Sequence, residues 1–214
     1  MADIAIVVGN KNYSSWSLRG WLALKATGVD FDEIVIPLRQ PNTKAEILRH
    51  SPGAKVPILK HKGITVWESL AICEFLAETY PSAKLWPADP VPRAHARSVS
   101  AEMHAGFEAL RTNMPMDMRA SKPGKGMADG VQADIDRVST IWRECRERYG
   151  KNGPYLFGHF TMTDAMFAPV VSRFVTYGVK LDAASAAYRD AMWAMPAMKS
   201  WVEAAKREPW TIEY

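Results

Sequence analysis

Five consecutive apolar residues near the start, Ile4–Val8, close on Gly9-Asn10, and no other stretch limits the possible folds as much. With no polar alternation the run has no face to give to water. It predicts a strand covered on both sides, and such strands belong to sheets flanked by helices. The residues that follow supply the cover. Leu18, Trp21, Leu22 and Ala26 share one helical face, with Ser14 and Ser15 available as caps and Thr27-Gly28 as a stop. Residues 31–36 are aromatic and β-branched, end at Pro37, and predict a second strand. Strand, helix and strand in that order form a right-handed crossover between parallel strands.

Residues 38–51 are polar and broken by Pro41, with a short helical turn expected at 44–49, and suit the wall of a site. Two short strands, 56–59 and 64–67, flank His61-Lys62-Gly63 as an antiparallel hairpin. Ile72, Cys73, Leu76 and Tyr80 then form a helical stripe that stops before Pro81. Four prolines in residues 80–92 mark a linker. Beyond it the pattern is helical almost throughout, with Val131, Ile135, Val138, Trp142, Cys145 and Tyr149 on one stripe, residues 121–126 as a loop between two long helices, and residues 150–160 as the stop of the second. Thr161 and Asp164 open a mostly apolar helix, expected to reach about Tyr177, with a capping box in which Asp stands in for the usual Glu or Gln. The expected fold is therefore α/β plus all-α: a βαβ-ββα domain over 1–80, a linker over 81–92, and an all-helical domain over 93–214.

A hydrophobic content of 48% is ample for packed cores. No apolar run reaches the roughly 18 residues that cross a bilayer, and the start MADIAIVVGN lacks a signal-peptide pattern, so a cytoplasmic protein without membrane contact is expected. Cys73 and Cys145 sit in helical patterns without ligand spacing and are expected to be reduced core residues. Five scattered histidines point to no metal. A net charge of +4 with the two signs interspersed fits a small anionic ligand and argues against a nucleic-acid partner.

The polar groups of residues 51–69 converge on one edge, next to a turn, two short strands and a helix start, and suit capture of a peptide-like anion. Together with Ser14-Ser15-Trp16-Ser17 and Arg19, Ser51-Pro52, Lys55-Val56-Pro57, Glu68-Ser69, and Thr161 with Asp164, the whole chain resembles the cytosolic glutathione S-transferase superfamily, serine type. The run SSWSLR is similar to the zeta class, the maleylacetoacetate isomerases. The resemblance implies a thioredoxin-like first domain with glutathione as co-substrate in its cleft. Ser69, at a helix start, would meet the γ-glutamyl carboxylate and Glu68 the ammonium group. A cis Val56-Pro57 bond would let the Val56 backbone pair with the cysteinyl unit, and Lys55 would meet the glycyl carboxylate. On the residues alone, Glu68-Ser69 is equally an ordinary helix start and Val56-Pro57 an edge-strand beginning.

The resemblance places thiol activation at the serine pair. A free thiol has a pKa near 8.5, and lowering it by about two units takes roughly 2.7 kcal/mol of preferential stabilisation of the anion. A serine hydroxyl donating to sulfur beside helix-start N–H groups can supply that. The zeta pattern points to Ser14; the pattern of other serine-type classes, with the catalytic serine four residues before an arginine, points to Ser15 ahead of Arg19; either is also a helix cap. Tyr13 suits packing or a lid. Trp16 departs from the zeta pattern by filling the place of a small cysteine and crowding that class's pocket. Trp16, Met103, His104, Phe107 and Arg111 are the expected hydrophobic-substrate pocket, with Met114 on the same spacing, unless these are core or dimer contacts. The implied activity is conjugation of the glutathione thiol to a small hydrophobic electrophile by a homodimer. Two alternatives stand beside it: cis-trans isomerisation of the maleylacetoacetate type, with Arg111 and Arg173 as candidate basic groups, and a non-catalytic binding protein of the same fold.

Overall fold

The computed structural model describes residues 3–213. The first half is built on strand β1 (Ile4–Val8), helix α1 (Ser15–Ala26), β2 (Asp32–Val35), α2 (Thr43–Leu48), β3 (Ile58–His61), β4 (Ile64–Trp67) and α3 (Ser69–Thr79). The sheet order is β2-β1-β3-β4, with β1 and β2 parallel and the remaining pairs antiparallel. This is the expected thioredoxin-like arrangement. The all-apolar β1 is central because only a central strand hides both faces. From one face of the sheet, Ile6 and Leu59 pack with Leu18 and Leu22 of α1 and Ile72 and Leu76 of α3. On the other, Val7 and Ile58 meet Ile47 of α2.

A 3₁₀ turn at Pro81–Ala83 leads to the helical half: α4 (Pro90–Ala105), α5 (Glu108–Asn113), α6 (Val131–Tyr149), α7 (Met162–Thr176), α8 (Ala183–Ala194) and α9 (Pro196–Arg207). Pro90 and Pro92, read above as linker, lie in the first turn of α4. Asp89 caps that turn by accepting from Val91 N–H at 2.8 Å, and proline is tolerated there because its missing N–H would be unpaired anyway.

Helix α7 is buried along nearly its whole length and packs against α1, α4 and α8, so it joins the two halves. The Thr161–Asp164 capping box is formed. The Asp164 carboxylate also accepts from Leu156 N–H and Tyr188 O–H, each at 3.1 Å. Its burial pushes the pKa up to about 6 even against these hydrogen bonds. Cys73 and Cys145 are buried free thiols, pushed up to about 12 by desolvation. Among the described residues no helix is long and apolar enough to cross a membrane.

One helical expectation fails. The spacing of Met103, His104, Phe107, Arg111 and Met114 implied a single long helix, but α4 ends at Ala105. Gly106 is extended and Phe107 takes a left-handed conformation with φ of 62° before α5 begins. Residues 114–130 then run without an α-helix.

Candidate active site

A cavity of about 970 Å³ opens between the two halves. From the first half it is lined by the loop after β1 and the start of α1, the segment before β3, and the end of β4. From the second it is lined by α4, α5, α7 and the chain's last described residues.

The loop after β1 is fixed from the other half of the chain. Asn12 N–H and Lys11 N–H donate to the Glu208 carboxylate, and Asn12 Oδ1 accepts from Arg119 N–H at 2.9 Å. Trp201 Nε1 donates to the Lys11 carbonyl at 2.9 Å. Ser14 and Ser15 both line the cavity. Ser14 is the N-cap of α1 and is buried; its hydroxyl oxygen lies 2.7 Å from that of Ser17, which also accepts from Gly9 N–H at 2.9 Å. The Ser15 side chain makes no hydrogen bond among the described residues. Tyr13 lines the cavity too, and Arg119 Nη2 donates to its phenol oxygen at 2.9 Å. Burial pushes the Tyr13 phenol up, yet hydrogen bonds from the Ile212 backbone, Arg119 and Asn12 outweigh it and leave the pKa below 10.0.

Lys55, Val56 and Pro57 line the cavity, and the Val56-Pro57 bond is cis. Glu68 lines it at the start of α3, in a left-handed conformation with φ of 75° that a non-glycine residue holds at a cost of roughly 1–3 kcal/mol. Ser69 is fully buried, and its hydroxyl has no partner among the described residues. A buried hydroxyl at a helix start with an unmet bond fits an anion such as a carboxylate.

Of the expected substrate pocket, Trp16, His104 and Arg111 line the cavity and Met103 and Phe107 do not. Met103 is fully buried on the inward face of α4, and the break at Gly106 turns Phe107 into the same core. Trp16 instead organises the cavity floor. The buried Arg19 guanidinium lies 4.4 Å from its ring centroid, Arg111 lies 4.9 Å from it, and His104 packs edge-on at 5.1 Å. Desolvation, with Arg173 and Arg111 nearby, lowers the Arg19 pKa to about 9.

Periodicity gave no hint of several other groups. Arg39 donates to the Glu213 carbonyl at 2.9 Å, and Ile212 from the same end segment lines the cavity. Trp67 and Met116 also line it. Arg39 and Ile212 come to it from segments distant in sequence.

Family models for the glutathione S-transferase N-terminal and C-terminal domains match residues 13–79 and 128–204. A probable maleylacetoacetate isomerase of Caenorhabditis elegans is 41% identical over 159 residues, 73% of this chain and 72% of that protein. The chain belongs to the glutathione S-transferase family. A second family member, the rat maleylacetoacetate isomerase, is 39% identical over 100 residues, 45% of each chain. Among solved glutathione S-transferase folds, a glutathione transferase homolog from Burkholderia with bound glutathione superposes with a TM-score of 0.72 at 24% identity, covering 96% of this chain and 99% of that one. That likeness supports the fold.

Proposed function

We propose that this protein binds glutathione and joins its sulfur to a small unsaturated electrophile that carries a carboxylate. The observation that carries this reading is the charge of the cavity lining. Among the described residues, Arg39, Lys55, Arg111 and Arg173 line it together with one carboxylate, Glu68, which is itself engaged by His104. Glutathione brings two carboxylates and one ammonium group. Lys55 and Ser69 would receive its carboxylates and Glu68 its ammonium, with the Val56 backbone beside the cysteinyl unit. Arg111 and Arg173, on the helical side, are left to face the second substrate, whose apolar body has Trp16 and Met116 to pack on.

In this reading Ser14 donates a hydrogen bond to the sulfur and favours the thiolate, and Ser15 stands beside it. Attack on the carbon β to a carbonyl forms the C–S bond and moves the electron pair to the carbonyl oxygen. Protonation of that enolate gives a conjugate. In a dicarboxylic diene, rotation about the new single bond followed by loss of the sulfur regenerates glutathione and leaves the isomer.

Isomerisation of the maleylacetoacetate type is supported by the SSWS run, the two arginines and the relatives' names. Conjugation is favoured by Trp16, whose ring takes up space between Arg19 and Arg111. The chain would act as a homodimer with its first domain ending at about residue 80.

Retention on immobilised glutathione, followed by turnover of maleylacetoacetate, a chloronitrobenzene and a peroxide, tests the reading. Turnover of the carboxylate-bearing diene well above the neutral chloronitrobenzene is expected. Retention with no turnover of any of them would leave a binding protein, and absence of retention would remove the proposal.

A further inference from the structure

Ser17 is a buried hydroxyl that the site so far leaves unused. It lies one turn into α1, behind Ser14, fully shielded from solvent and outside the cavity lining. Among the described residues its oxygen meets two groups: Gly9 N–H at 2.9 Å and the Ser14 hydroxyl at 2.7 Å. The Gly9 amide can only donate, so it fills a lone pair on Ser17 Oγ and leaves the Ser17 proton in need of an acceptor. If Ser14 donated across the 2.7 Å contact, that proton would be buried without one. If Ser17 donates to Ser14, both bonds are satisfied. One O···O contact holds one proton, so the Ser14 proton is then turned away from Ser17, toward the cavity that Ser14 borders.

We propose that Ser17 is a positioning residue that aims the Ser14 proton at the glutathione sulfur through the chain Gly9 N–H, Ser17 O–H, Ser14 O–H. The inference rests on the glutathione reading above. Each donor in such a chain polarises the next, so the final O–H is a stronger donor to a thiolate than an isolated serine. The same geometry selects Ser14 over Ser15, whose hydroxyl has no such anchor. It is also separable from helix capping, because the Ser17 backbone N–H that donates to Ser14 Oγ at 3.4 Å survives any change of the Ser17 side chain.

The test is a titration of bound glutathione thiolate by its ultraviolet absorbance in the wild type, Ser17→Ala, Ser17→Cys and Ser17→Thr, with affinity for S-methylglutathione measured alongside. Loss of the Ser17 hydroxyl should raise the bound thiol pKa by about one unit, a roughly tenfold fall in thiolate well below that pKa. S-methylglutathione has no thiol, and its affinity should stay within about twofold. Ser17→Cys fills the same space with a weaker donor and should move the pKa the same way, which carries the test should Ser17→Ala not fold. Ser17→Thr keeps the hydroxyl and should restore the wild-type value. A thiol pKa unchanged in both Ser17→Ala and Ser17→Cys overturns the relay while leaving the glutathione reading intact. So does a raised pKa that comes with an equal loss of S-methylglutathione affinity and no rescue by threonine. Wild-type protein that fails to bind glutathione, or binds it with the pKa of the free thiol, overturns the glutathione reading and the relay together.

Discussion

His104 Nε2 lies 2.9 Å from Glu68 Oε2, so a carboxylate at the start of α3 is held by a side chain from α4 in the other half of the chain. Desolvation lowers the His104 pKa below 6.5, with Glu68 pulling it up and Arg19 and Arg111 pushing it further down. At neutral pH the imidazole is therefore neutral, and Nε2–H donates to Glu68. A carboxylate has room for several donors, so the other oxygen of Glu68 can still take the glutathione ammonium.

That relation sets a pH dependence. Because the folded-state value is depressed, His104 stays neutral below pH 6.5 and becomes a competing cation only at lower pH. Affinity for S-methylglutathione, which has no thiol to titrate, should hold from pH 8 to about 6.5 and fall as His104 protonates, a window in which its carboxylates and amine do not titrate. His104→Gln should flatten the profile in calorimetric titrations. An identical acid limb in that variant removes His104 as the cause.

Arg111 donates through Nη1 to the His104 and Gly106 carbonyls, at 3.2 and 2.9 Å, and is thereby held against Trp16. Arg111→Ala should lower kcat/KM for a carboxylate-bearing electrophile by about 10–100-fold, in line with loss of one charge-assisted bond of roughly 1.5–3 kcal/mol. A neutral electrophile should lose less than about threefold. Equal losses on both substrates would mean that Arg111 holds the cavity's shape and reads no charge.

Trp16→Cys tests which of the two reactions the cavity favours. Removing the ring frees volume beside Arg111 and also strips its cation–π contact with the buried Arg19, a loss on the order of 1–2 kcal/mol. The expected result is a lower melting temperature together with a higher ratio of diene isomerisation to chloronitrobenzene conjugation. A ratio that stays constant would show that the ring does not select between them.

Asp164 is tested by stability. Asp164→Ala leaves Thr161 N–H, Leu156 N–H and Tyr188 O–H without their acceptor in a fully buried place. The cost should be about 3 kcal/mol, a fall in Tm on the order of 10 °C. The sign of the pH effect is set by a folded-state pKa raised from 3.8 to about 6. The folded state binds the proton more tightly, so this contribution is full below pH 3.8 and is lost as pH rises through about 6. The stability advantage of wild type over Asp164→Asn should therefore shrink between pH 5 and pH 7. An advantage independent of pH would place the carboxyl near its ordinary value.

Much of the fold was legible in the residues themselves, because it depends on local rules. An all-apolar β1 demands a central strand, Pro57 and Gly63 frame the hairpin, and Thr161 with Asp164 starts a helix by satisfying its own backbone. Of the residues those rules singled out, Ser14, Ser15, Val56 and Glu68 line the cavity, while Ser69 is buried at the start of α3 and is not part of the lining. Spacing misled at Met103 and Phe107. Periodicity reports which residues share a face while the helix lasts; it did not say that the Met103 face of α4 turns inward, and nothing in it foretold the break at Gly106-Phe107 that turns Phe107 into the same core.

Sequence alone determined the two-part architecture, the family likeness and the short motifs at element ends. The tertiary structure alone decided which distant groups meet: His104 on Glu68, Arg19 and Arg111 on either side of Trp16, Glu208 on the Lys11-Asn12 backbone, and Ser17 behind Ser14 with Gly9 at its back. The reason is physical. Local propensity acts over one turn or one strand, whereas the charge and proton arrangement of a cavity depends on side chains brought together only when the two halves pack across α7.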